Sequence, residues 1–140
     1  MRRIRQARWA ACFGAIATAL AVPSTAAAAS LTVTAPGSIN HNTSYRVMVS
    51  GTVGKPAYVI LVYQHRACSK TYPKNQAANA NSASGGSLIF KKVKGTFDAQ
   101  TVKLKGGVKG SVDYCAYLYG AKQSFDSKPM ARGHRKVNFT

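Results

Sequence analysis

Glutamate is absent from this 140-residue chain, and aspartate occurs three times, as Asp98, Asp113 and Asp126. Hydrolysis by paired carboxylates needs two acids flanking one bond, and three aspartates on three separate segments supply no such pair. Tryptophan occurs once, at Trp9. The cysteines are Cys12, Cys68 and Cys115, and although His65 lies three residues before Cys68, no second Cys/His pair has ligand spacing. No G-x-S-x-G turn is present to hold a nucleophile, and no motif that reads bases is present. His41 falls in a turn, His65 at the end of an apolar run and His134 before the last one. All three read as surface or structural groups. The chain therefore reads as a non-enzyme, with no metal site and no cofactor.

Long hydrophobic runs are also missing. The longest, "WAACFGAIATALAV" (Trp9 to Val22), falls short of the roughly 20 residues a membrane-spanning helix needs. It follows Arg2, Arg3, Arg5 and Arg8 and precedes the small residues "PSTAAAAS". Basic, apolar and small segments in that order form a secretory signal peptide. Residues 1–29 are expected to be removed, leaving 30–140 as one domain without a transmembrane anchor, secreted or associated with the cell envelope. Cys12 leaves with the leader. Cys68 and Cys115 then form the one disulfide expected of an exported chain.

Helical periodicity is not sustained in any window, whereas alternation of apolar and polar residues recurs. "LTVTA" (31–35), "SYRVMVSG" (44–51), "AYVILVYQH" (57–65), "SLIFKKV" (87–93), "TFDAQTVKLK" (96–105), "SVDYCAYLYG" (111–120) and "HRKVNFT" (134–140) read as about seven strands. "APGSINHNTS", "GTVGKP" and "KGGVKG" read as turns between them. The run 57–65 is apolar almost throughout, as a central strand covered on both sides would be. Segments 69–87 and 121–133 read as loops. The expected fold is all-β, an antiparallel sandwich.

The succession "LTVTAP-GSI", "YRVMVSG", a long Val/Ile/Tyr strand ending near Cys68, and "VDYCAYLYG" resembles the secreted immunoglobulin-like and fibronectin type III-like domains of bacteria. The resemblance covers the whole of 30–140 and implies the sandwich, but no binding residues. The chain departs from the antibody pattern in having its first cysteine at the end of the third strand, no tryptophan in 30–140, and Asp113 where the tyrosine corner would stand. Secreted carriers that cradle a chromophore between sandwich and loop are also similar in length and strand pattern. They are generally acidic and carry two disulfides, unlike this chain.

What the chain has in excess is positive charge. Of its 20 basic residues four leave with the leader and no acid does, so 30–140 carries 16 basic and three acidic residues, net +13. The stretch "KKVKGTFDAQTVKLKGGVKG" alone holds Lys91, Lys92, Lys94, Lys103, Lys105 and Lys109 against Asp98. In a regular strand Lys103 and Lys105 would leave one face, while Lys91 and Lys92 would leave opposite faces. Lysines at sheet edges discourage sheet-to-sheet aggregation, but acids would serve as well, so that need does not choose the sign. A field of one sign attracts polymers of the other. The expected partners are anionic cell-wall or extracellular polymers, bound weakly through those six lysines by a monomer, with no sequence-specific recognition of nucleic acid. Tyr58, Tyr63, Tyr114, Tyr117 and Tyr119 fall on two neighbouring strands. They are expected to serve chiefly as core, and the alternative is a groove of a small-ligand carrier.

Overall fold

The computed structural model describes residues 28–79, 85–101 and 103–140. The expected leader therefore lies almost wholly outside the described residues. The chain is predominantly β, with strands β1 (Ser30–Thr34), β2 (Ser38–Ile39), β3 (Ser44–Tyr45), β4 (Met48–Gln64), β5 (Gly86–Gln100), β6 (Leu104–Lys105), β7 (Gly110–Gly120) and β8 (Ala131–Phe139), and one helix, α1 (Tyr72–Asn79), between β4 and β5. One sheet runs β1-β4-β7-β8-β2 with β5 on the other side of β4, and β3 pairs with β6 in a second. Pairing is antiparallel except between β2 and β8, which run parallel for two residues.

The strands expected at 44–51 and 57–65 are largely one strand. β4 is 17 residues long and passes straight through "GTVGKP". Its partner β5 likewise joins the expected strands at 87–93 and 96–105, but ends at Gln100. The two remain paired along their length, with an irregularity where Val53 opposes Gly95 and Ala57 opposes Val93. Gly54, Lys55 and Pro56 thus face Lys94 alone, a bulge that also accommodates a proline without an N–H to donate. Opposite it Gly95 has φ +69, a conformation that glycine adopts without steric cost. The bulge is also where β4 changes its other neighbour, from β1 along Met48–Thr52 to β7 along Ala57–Gln64. The sheet therefore curls, and β1 packs over β8. At that approach a Cβ on Gly133 would lie 2.9 Å from Val33 Cγ2, so only glycine fits without displacement.

Alternation along β4 and β7 divides their side chains between two clusters. Val49, Val59, Leu61, Val112, Tyr114, Ala116 and Leu118 point into the main core between the curled halves. Ile60, Val62, Cys115, Tyr117 and Tyr119 point outward, yet all are buried. The middle of the run, Val59 to Val62, is thus buried on both sides, while Tyr58 and Tyr63 are partly buried and His65 is exposed. The outer cover comes from the segments expected to be loops. Phe125 packs from 121–133 and Tyr72 from 69–87, with Cys68 just before it, and the segment 69–87 contains α1. Pro73 sits in the first turn of α1, where a missing N–H costs nothing. The helix otherwise reads "YPKNQAAN", with no apolar stripe to announce it.

Cys68 and Cys115 are joined, with their Cα atoms 5.6 Å apart and a sequence separation of 47. The bond pins the chain just before α1 onto the middle of β7. Closing a loop of this length in the unfolded chain contributes about 4 kcal/mol. We predict that C68A/C115A loses stability of that order in urea denaturation and that α1 amides exchange faster. An unchanged denaturation midpoint would show that the cover holds without the bond.

Candidate functional site

Tyrosine hydroxyls, lysine ammoniums and three imidazoles are the groups available for recognition, and the two clusters place them differently. Tyr117 on the outer face donates its hydroxyl toward the Ser69 carbonyl at 2.8 Å and Asn75 Oδ1 at 3.0 Å. The same Oδ1 accepts from the Ser69 amide at 3.1 Å. The Tyr119 hydroxyl accepts from the Tyr72 amide at 3.0 Å, and its ring meets Phe125 edge-on at 5.1 Å. These two tyrosines anchor the outer cover. Burial pushes the Tyr117 phenol up to about 12 and raises Tyr119 as well.

Tyr63 and Tyr114 face the other way and are directly opposed on β4 and β7. With Tyr45, which the sequence reading left aside, they line a cleft of about 320 Å³ at the end of the main core. Phe139, His65 and Lys105 complete the part that matters chemically. The cleft exists because β3 and β6 fold across it, Tyr45 pairing with Leu104. The Tyr45 and Tyr114 hydroxyls are hydrogen-bonded to each other. Two hydroxyls carry two protons, and a bond between them uses one. The other finds no acceptor among the described residues. Burial raises both phenols, and for Tyr114 the hydrogen bond to Tyr45 raises it further. His65 Nδ1 lies 3.0 Å from the Ser111 carbonyl. A carbonyl only accepts, so that nitrogen carries a proton and Nε2 is left facing outward.

The six lysines of the opening expectation are all exposed but do not gather. Lys91, Lys92 and Lys94 belong to β5, an edge strand that pairs with β4 alone among the described residues. Lys91 is opposite buried Val59, on the inward side, and reaches water past the edge of the sheet. Lys103 and Lys105 do not share one strand, because β5 ends at Gln100. The buried Thr101 accepts from the Val47 amide through its hydroxyl at 3.1 Å and donates its own amide to the Val47 carbonyl at 3.0 Å. That turn sends Lys105 to the rim of the tyrosine cleft, while Lys109 lies in the turn before β7. Lys92 has company the sequence reading missed: Lys55 and Lys122 line one further cleft with it.

Of the acids, Asp113 is buried on β7, with His134 Nε2 at 2.5 Å and Lys136 Nζ at 4.0 Å. His134 lies within β8 rather than before it, opposite Cys115, and its role is to hold this carboxylate. Among the described residues no group of three or more His, Cys, Asp or Glu side chains could hold a metal ion. No helix of the described residues is long and apolar enough to cross a membrane.

No family model and no curated protein sequence matches the chain. Among solved structures it is similar to the CARDB domain of the PF1109 protein from Pyrococcus furiosus, with TM-score 0.45 and 11% identity over 79% of this chain and 91% of that one. It is also similar to BslA, described as a bacterial hydrophobin, with TM-score 0.39 and 13% identity over 81% of this chain and 95% of that one. Both likenesses are remote, and neither bears on function.

The four raised phenols, Tyr45, Tyr114, Tyr117 and Tyr119, make stability fall in alkali. Unfolded tyrosine ionises near 10, so above that pH the unfolded chain binds fewer protons than the folded one and gains on it. The contribution is whole below pH about 10 and is lost as pH rises through the folded values, about 12 for Tyr117. We predict denaturation midpoints that decline over this window, with a shallower decline in Y117F. Equal slopes in both proteins would remove Tyr117 from the account.

Proposed function

We propose that this chain is a secreted module with an immunoglobulin-like sandwich fold, and that it works by weak electrostatic association with anionic cell-wall or extracellular polymers. The observation that carries the reading is the unanswered charge. All twelve lysines are exposed. Of these lysines, only Lys136 is shown within ion-pair distance of a carboxylate among the described residues, and that carboxylate is buried. A surface of this kind attracts polyanions at long range and loses them as salt screens the field. The curled all-β sheet, its two halves facing across one core, supports the sandwich.

Retention on an immobilised anionic polymer, heparin serving as probe, tests this reading beside an uncharged matrix. We expect retention at about 0.05 M salt and release well before about 1 M, where screening extends only roughly 3 Å. Absence of retention at low salt, or retention that survives 1 M, would overturn it.

A second reading, a small-ligand carrier, is favoured by one observation. The unshared proton of the Tyr45–Tyr114 pair lies at the wall of an aromatic cleft, with Lys105 at its rim. A planar aromatic carboxylate would supply the missing acceptor, a counter-charge and a flat body between Tyr63 and Phe139. Naphthoate titrated calorimetrically is then expected to saturate one site, about tenfold more weakly in Y114F. Titration without saturation would dismiss the carrier.

A further inference from the structure

The last pair of the β4–β7 ladder is Ala57 with Gly120. Counting two residues further in the same register sets Lys55 against Lys122. Hydrogen bonding stops there because β4 enters its bulge and β7 its turn. The two chains stay joined by the Ala121 amide, which donates to the Pro56 carbonyl at 2.9 Å. Gln123 then locks the turn: its Oε1 accepts from the Gly120 amide at 2.9 Å, and its Nε2 donates to Ser127 Oγ at 2.9 Å and to the Lys128 carbonyl at 2.6 Å. Lys92 arrives from β5, where it is opposite Tyr58. Three ammonium groups from three separate elements thus line one cleft of about 640 Å³, whose other walls include Pro56 and the half-exposed Met130. Asp126 belongs to the same turn but does not line the cleft.

Beside these charges lies a ledge of aromatic rings. Phe90 is two residues from Lys92 on the same face of β5, about 7 Å along the strand. It is 55% exposed, the most exposed aromatic side chain of the outer face. Its ring is 5.4 Å from that of Tyr58, tilted by 31°, and Phe125 meets both nearly edge-on, at 6.0 and 6.4 Å. Phe125 therefore fixes both rings from below while Phe90 keeps an open face to solvent.

We propose that this cleft and ledge form a binding site for an anionic saccharide, one sugar ring lying on Phe90, which Tyr58 backs, with its acidic substituents among Lys55, Lys92 and Lys122. The site rests on the polyanion reading above and gives it a place and a ligand class. Crowded like charges repel, and an anion in the cleft relieves that repulsion. The electron-rich face of an aromatic ring meets the polarised C–H groups on one face of a sugar. A bare phosphate polymer would use the lysines and leave the ledge idle. Single-stranded nucleic acid needs successive aromatic faces along a basic groove, whereas these two rings pack on each other and offer one.

The test titrates the full folded chain with oligogalacturonate, with inorganic polyphosphate and with single-stranded DNA of matched charge, at about 0.05 M salt. K55Q/K92Q/K122Q is compared with K103Q/K105Q/K109Q, which removes the same charge elsewhere, and with F90A. All substituted side chains are exposed, and thermal melts establish that each variant folds. The expected result is a loss of about tenfold or more for oligogalacturonate in the first triple variant and no more than about twofold in the second, since charge-assisted hydrogen bonds outweigh a diffuse field. F90A is expected to weaken oligogalacturonate about fivefold, in the range of one lost stacking contact, and to leave polyphosphate unchanged. Equal losses in the two triple variants would overturn the site while the polyanion reading survives. A larger effect of F90A on DNA than on the saccharide would replace the ligand class and overturn the proposal. Failure of the unaltered chain to bind any of the three would overturn both readings.

Discussion

Val59 to Val62 of β4 are buried on both faces of the sheet, and most of the molecule is arranged to meet that requirement. A strand apolar on alternate positions needs one cover, whereas this one needs two. The inner cover is made by the sheet itself, which curls at the Gly54–Pro56 bulge so that β1 comes to lie over β8. The outer cover has no such source. It is assembled from the turn after β7 and from a helix with no apolar stripe, and neither would hold its place by hydrophobic area alone. The disulfide and the hydrogen bonds of Tyr117 and Tyr119 supply what area does not. Covalent tethering is a common recourse where a small exported domain has too little surface to bury.

The same economy bears on the charge. β5 is a 15-residue strand with one paired side among the described residues, long enough to recruit another sheet. Lys91, Lys92 and Lys94 interrupt that edge, one of them from the inward face. Edge protection accounts for charge at these positions and is indifferent to its sign. Sign matters for the fold in the opposite sense, because a chain of net +17 repels itself. The one buried acid among the described residues, Asp113, is held by His134 and Lys136 and does little to offset the surface excess. A composition that costs stability across the whole surface points to a reason outside the fold.

Much of this was legible in the sequence where the pattern was local. Alternation along 112–119 placed Cys115, Tyr117 and Tyr119 on one side and Val112, Tyr114 and Leu118 on the other, as the two clusters confirm. The pairing of Cys68 with Cys115, expected from the cysteine count of 30–140, is the disulfide that joins them. The long strands were hidden because Gly54, Pro56 and Gly95 carry the signature of turns, and only the pairing of one bulge with the other reveals a bend. The helix was hidden because its stability comes from tethering, which leaves no period in its own residues. Tyr45 and the Lys55–Lys122 pair were hidden for a further reason: each acquires its neighbours through register between segments distant in sequence. No local window contains that information.

The two clefts lie at opposite ends of the β4–β7 ladder. Tyr63 and Tyr114 stand near the end where Gln64 meets Asp113, and Lys55 and Lys122 lie beyond the end where Ala57 meets Gly120. Seven residue steps along a strand separate these ends, about 24 Å. Between them run the most deeply buried positions of the chain, Val59 to Leu61 and Cys115 to Leu118. The geometry thus separates an aromatic cleft, walled by the hydrogen-bonded Tyr45–Tyr114 pair, from a cationic cleft beside an exposed ring.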